Sequence, residues 1–294
     1  MAVRSLTGAG VLCCLLVAGC GTQSRSAPGV ERFDAHGRTY YIDGAGNWGF
    51  GVTDIQQGLR RAGYKGNIIN YRWSPTFNPA LDQTVGRAAA RSRGRQLARE
   101  ITAYLREYPG NKVNIIALSA GTGVAVWACE NLEPPAEVNC LILLGSSLWA
   151  HYDMSKALAN ISGGVWVYYS PHDQVLSGPV KALGTIDGRI IADSAGLIGL
   201  HPPCGDGGKI HNIGWSPKWE RYGWSGSHTD ATSEPFVRQE LARHILSEFP
   251  ELPELLDEPD GQPDESDETP DGIADTDETL SNEWPTVQTL AVGE

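Results

Sequence analysis

Val113-Asn114-Ile115-Ile116-Ala117-Leu118-Ser119-Ala120-Gly121-Thr122-Gly123 decides how this chain is read. A β-branched apolar run ends in a serine set between small residues, and a helical pattern follows. Such a stretch predicts a strand, a tight turn and a helix, with the turn displaying Ser119 as a nucleophile. The small neighbours have a steric reason. The turn strains the backbone and leaves no room for bulky side chains. A serine displayed in this way works with an acid and a histidine supplied from further along the chain.

Both are present downstream. Gly164-Val165-Trp166-Val167-Tyr168-Tyr169 reads as a buried strand and runs into the polar turn Ser170-Pro171-His172-Asp173-Gln174-Val175. Lys209-Ile210-His211-Asn212-Ile213 alternates like a last strand, and Gly226-Ser227-His228-Thr229-Asp230 is a loop that opens onto a helix. The order Ser119, Asp173, His228 resembles the α/β-hydrolase superfamily, whose triad runs serine, acid, histidine along the chain. The resemblance covers residues 38–249. One position departs from the G-x-S-x-G pattern, because Ala117 stands where the first glycine is usual. Alanine is the next smallest residue, so the elbow is expected to form.

The resemblance implies a serine hydrolase that cleaves an ester. Ser119 attacks the carbonyl, His228 takes its proton and passes it to the leaving group, and Asp173 orients the imidazole. Two backbone N–H groups would hold the developing oxyanion. Ala120, the residue after the nucleophile, is one donor. The other comes from Asp43-Gly44-Ala45-Gly46-Asn47, the position of the superfamily's His-Gly loop. Asp43 replaces the histidine here, and Ala45 is the first candidate donor, with Gly46 second. Read without the resemblance, the same segment is an ordinary glycine-rich strand-to-helix turn. Asp153 is a rival acid, and His201 and His211 are rival bases. Asp173 and His228 have the better context, each in a loop that follows a strand.

No cofactor is expected. His201, Cys204, His211 and His228 match no compact zinc spacing. Asp43, Asp173 and Asp230 form no calcium loop. Gly44-Ala45-Gly46 lacks the third glycine and the distant acid of a dinucleotide site. No basic patch with interleaved aromatics points to nucleic acid. The expected partner is a small-molecule or lipid ester. The rival class is a non-catalytic envelope lipoprotein that keeps the fold for binding.

Strands and helices alternate through the domain. Short strands are expected at Thr39–Asp43, Asn67–Tyr71 and Val138–Leu144, beside the three already named. Thr53-x-x-Gln56 reads as a capping box for a first helix. A long helix is expected over Val85–Tyr108, with Leu97, Ile101, Tyr104 and Tyr108 as its apolar stripe. A short helix near 152–160 and a closing helix over Pro235–Phe249 complete the pattern. This alternation predicts an α/β fold with three αβα layers around a mostly parallel sheet. The segment before Thr39 is too short for the superfamily's two usual leading strands, so about six strands are expected.

The ends of the chain read differently. Residues 1–19 have a short positive start and a short apolar stretch, which fits a signal peptide. Val17-Ala18-Gly19-Cys20 resembles a bacterial lipoprotein box, which implies that Cys20 is acylated and anchors the chain at the extracytoplasmic face of a membrane. Residues 20–37 serve as a tether. The whole chain carries 23 basic and 35 acidic residues, of which 15 acidic and no basic ones lie from Glu251 on. The domain is therefore near neutral, and residues 250–294 read as an acidic disordered tail. Among the cysteines outside the leader, Cys129 and Cys140 are close enough in sequence to suggest a disulfide, with Cys204 left over. Buried, reduced thiols are the equal alternative. Expressed in a bacterium, the chain should fractionate with membranes and take up a palmitate label. Cys20→Ser should abolish the label and release the protein.

Overall fold

Six short runs rich in β-branched, aliphatic and aromatic residues become strands: β1 (Arg38–Ile42), β2 (Asn67–Asn70), β3 (Val113–Leu118), β4 (Val138–Leu144), β5 (Ile161–Tyr169) and β6 (Ile210–Gly214). They form one sheet in the order β2-β1-β3-β4-β5-β6. Every neighbouring pair is parallel. The computed structural model describes residues 33–203 and 205–246. The chain divides into units of residues 1–250 and 251–294, and the described residues lie in the first. The segment expected to be a signal peptide, Cys20, Cys204 and the segment expected to be an acidic tail lie outside the described residues.

The helices are α1 (Val52–Arg61), α2 (Pro79–Gln83), α3 (Arg87–Glu107), α4 (Gly121–Glu130) and α5 (Ser155–Leu158). A wide turn, Leu176–Val180, leads into α6 (Lys181–Leu183), and α7 is Ala195–Ile198. The closing helix begins as α8 (Glu234–Phe236), widens over Val237–Leu241 and resumes as α9 (Ala242–Ile245). Parallel strands need crossovers, and these helices supply them on both faces of the sheet. Side chains alternate along each strand. Ile115, Ala117, Leu141, Leu143 and Val167 pack with α3 and α4. Ile116, Leu118, Ile142, Leu144 and Tyr168 pack with α1 and the closing helix. All of β3 is buried, as befits a central strand covered on both sides. The expected three-layer α/β fold is present, and its sheet is parallel throughout.

Several local readings change. Thr53 does not cap α1. The helix starts at Val52 behind Gly51, whose φ is 72° and which makes no side-chain cap. The left-handed glycine turns the chain there, and a Cβ on it would come within 2.5 Å of Thr232. The expected long helix also starts later, at Arg87, behind the short α2. Asn78 caps α2, its side chain accepting from the amides of Ala80 and Leu81 with Pro79 in the first turn. In α3, Leu97, Ile101 and Tyr104 are buried, and Tyr108 packs partly against them. In the closing helix Phe236, Leu241 and Ile245 face inward as expected.

Cys129 and Cys140 are both free and buried. Their closeness in sequence misleads because a strand separates them by face. Cys129 packs with α4's own layer. Cys140 alternates onto the opposite side of the sheet with Ile142 and Leu144. Burial pushes the Cys129 thiol up to about 12, and burial likewise raises Cys140 well above its usual value. Thiols held protonated in a packed core react slowly. In a Cys204→Ser background lacking the leader cysteines, Ellman's reagent should find no thiol in the native protein. It should titrate both on unfolding without reductant.

Candidate active site

The C-terminal ends of parallel strands converge on one edge of the sheet, and loops leaving that edge collect side chains from distant parts of the sequence. Ser119 follows β3, Asp173 follows β5 and His228 follows β6, so all three stand on this edge. Ser119 has a φ of 52°, left-handed backbone that few non-glycine residues adopt. Its amide donates to Leu144 O at 2.9 Å, and its carbonyl accepts from the Thr122 amide at 3.1 Å. Gly121 is required by close packing. A Cβ there would lie 2.4 Å from Asp43 O and 2.6 Å from Ile42 O. Ala117, by contrast, fits in the buried strand, and the elbow forms with alanine at that place.

Asp173 and His228 meet. His228 Nδ1 donates to Asp173 Oδ2 at 2.6 Å. The other carboxylate oxygen accepts from the Val175 and Leu176 amides, each at 3.0 Å. Asp173 is 2% exposed, so it is a fixed, dry acceptor that leaves His228 Nε2 as the basic nitrogen. Gly145, with φ 47°, lies against the pair. A Cβ on it would stand 3.3 Å from His228 Nδ1 and 3.4 Å from Asp173 Oδ2. Ser119 and His228 line the same cleft, of about 720 Å³. The rivals are elsewhere: Asp153 caps Ser155 through its side chain, His201 is tied to Ile198 O, and His211 stacks on Trp166 on the edge strand β6. Among the described residues no cluster of His, Cys, Asp and Glu is arranged to hold a metal.

The loop after β1 reaches over the serine. A Cβ on Gly44 would come 3.2 Å from Ser119 Cβ, so a larger residue would crowd the serine and glycine eases this approach. Two buried carboxylates set its shape. Asp43 Oδ1 accepts from the Gly44 amide at 2.7 Å and Oδ2 from the Gly49 amide at 2.6 Å. Burial raises the Asp43 carboxyl above its ordinary range, opposed by the amides of Gly49, Gly44 and Phe50. Asp82 Oδ2 accepts from the Gly46 amide at 2.7 Å. Asp82 also binds the hydroxyls of Ser74 and Thr76. Gly46 therefore has its amide committed to Asp82. The amides of Ala45 and Ala120 have no acceptor among the described residues.

Sequence reasoning missed Asp82, Gly145 and the cleft wall formed by α2 and α6. Asn78-Pro79 carries a readable helix-start signal, but nothing in the sequence near Asp82 points to Gly46. Among the tryptophans near this edge, Trp48 lines the cleft. Trp224 is buried among Tyr168 and Phe236, and Trp215 packs on His172.

No model of a protein family matches the chain, and no curated protein matches it. Among solved structures, an acylaminoacyl peptidase from Pyrococcus horikoshii is similar over 71% of this chain, with 11% identity and a TM-score of 0.40. The similarity takes in 36% of the peptidase, so the chain spans about a third of its length.

The role of Asp82 is open to a direct check. Asp82→Ala leaves the Gly46 amide and two hydroxyls without their common acceptor, at about 1–3 kcal/mol per unsatisfied buried group. Thermal unfolding should fall by several degrees. Asp82→Asn, which keeps an acceptor oxygen, should lose less.

Proposed function

We propose that this chain is an α/β-hydrolase-type serine hydrolase that cleaves carboxylic esters through Ser119, His228 and Asp173. The observation that carries the reading is the Asp173–His228 hydrogen bond of 2.6 Å in the cleft where a left-handed elbow presents Ser119. In the first step His228 Nε2 takes the Ser119 proton while Oγ bonds to the carbonyl carbon. The carbonyl electron pair moves onto oxygen, where the amides of Ala45 and Ala120 receive it. Collapse expels the alcohol, which leaves with the proton from His228, and the acyl group remains on Ser119. Water repeats the sequence, giving the acid and the free serine. Asp173 keeps its charge throughout and stabilises the imidazolium. The amides of Ala45 and Ala120, which have no acceptor among the described residues, support this reading as donors to the charge that develops on the carbonyl oxygen.

The lipoprotein-like box at Cys20 adds the proposed setting: a lipid-anchored enzyme facing the extracytoplasmic side. A fluorophosphonate probe should label the purified protein at Ser119. Ser119→Ala should remove the label, and His228→Ala should slow it by at least a hundredfold. Asp173→Asn should lower ester turnover by about 10⁴-fold, since the imidazole then favours the wrong tautomer. A folded protein that resists the probe and turns over no ester would sink the proposal.

A further inference from the structure

We infer, resting on the hydrolase reading above, that the cleft selects an uncharged ester with an aliphatic acyl chain, and that Gln83 marks the end of the space for that chain. Two elements wall the cleft. Asn78, Pro79 and Ala80 come from α2 and its cap, and Val175, Val180 and Leu183 come from the wide turn and α6. Among the described residues, none of the side chains lining it is Asp, Glu, Lys or Arg. The titratable side chains that line it are the imidazoles of His172 and His228, so a charged substrate would lose its hydration with no permanently charged partner to replace it. Trp48, Phe50 and Leu183 line the same space yet remain 59%, 44% and 38% exposed. Apolar surface left in water at a site gains from an apolar ligand that covers it.

The two walls join at one place. Gln83 Nε2 donates to Gly184 O at 3.0 Å. Arg87 Nη2 donates to Leu183 O at 3.1 Å beside it. Gln83 is 3% exposed and lines the cleft, so this bridge ties the two walls together at a boundary of the space. A boundary fixed by such a bridge suits the group that stays covalently bound after the first step, which is the acyl chain. The alcohol must leave and needs the open mouth.

The test is a series of p-nitrophenyl esters with acyl chains of increasing length, given to the purified full chain alongside fluorophosphonate labelling of Ser119. A matched p-nitrophenyl monoester of a dicarboxylic acid supplies the charged comparison. The expected result is a kcat/KM that climbs about fourfold per methylene and then breaks at a limiting length, with the carboxylate-tipped ester at least tenfold below its neutral partner. Gln83→Ala should move the break to longer chains. Leu183→Trp, a change on the partly exposed wall, should move it to shorter ones and serves if Gln83→Ala fails to fold. A labelled enzyme with a flat chain-length profile, with equal or better use of the charged ester, or with a break that neither variant moves would overturn the inference and leave the hydrolase reading intact. Absence of both labelling and turnover would remove the hydrolase reading and this inference with it.

Discussion

The left-handed backbone at Ser119 is the constraint on which the site depends. A non-glycine residue at φ 52° costs on the order of 1–3 kcal/mol and persists only where its surroundings impose it. Here the surroundings are the sheet. The Ser119 amide is fixed on Leu144 O, so the turn is registered to the end of β4. The next residue, Gly145, lies against Asp173 and His228. One strand end thus sets both the serine and the acid–base pair. On the other side Gly121 lets the β1 carbonyls press against the start of α4. Elbow, neighbouring strands and acid–base pair are consequently one mechanical unit.

The loop over the serine is held by an arrangement suited to a carboxylate. Asp43 folds back and accepts two amides, one from each end of the loop. A neutral imidazole has only one acceptor nitrogen and could not clasp both. Asp82 adds a second clasp from α2, a cleft wall, onto the Gly46 amide. Ala45 lies between these fixed points in the loop, flanked by the bound amides of Gly44 and Gly46.

What the sequence made legible is what local chemistry encodes. The β3 run, the small residues around Ser119 and the polar turn at Asp173 each carry their meaning within a few residues. The alternation of elements then supplies the parallel sheet. What stayed hidden depends on contacts between distant segments. Asp82 meets Gly46 across 36 residues, and Gln83 meets Gly184 across 101. The choice between Ala45 and Gly46 turns on which amide another segment occupies, which no spacing reveals. Cys129 and Cys140 show the converse: sequence proximity suggests a bond that strand alternation puts on opposite faces. The capping pattern at Thr53 loses to Gly51 because the chain must turn sharply against Thr232.

The all-parallel sheet gives the molecule two unlike poles. Strands start at one pole, where Asp34 O is bound by Tyr104 and Asn111 just before β1. They finish at the other, where the cleft opens. The first described residues therefore arrive at the pole opposite the mouth. Within the described residues, chain entry and cleft mouth stand at opposite ends of the sheet, so a reporter group attached at Phe33 would sense the pole away from the mouth.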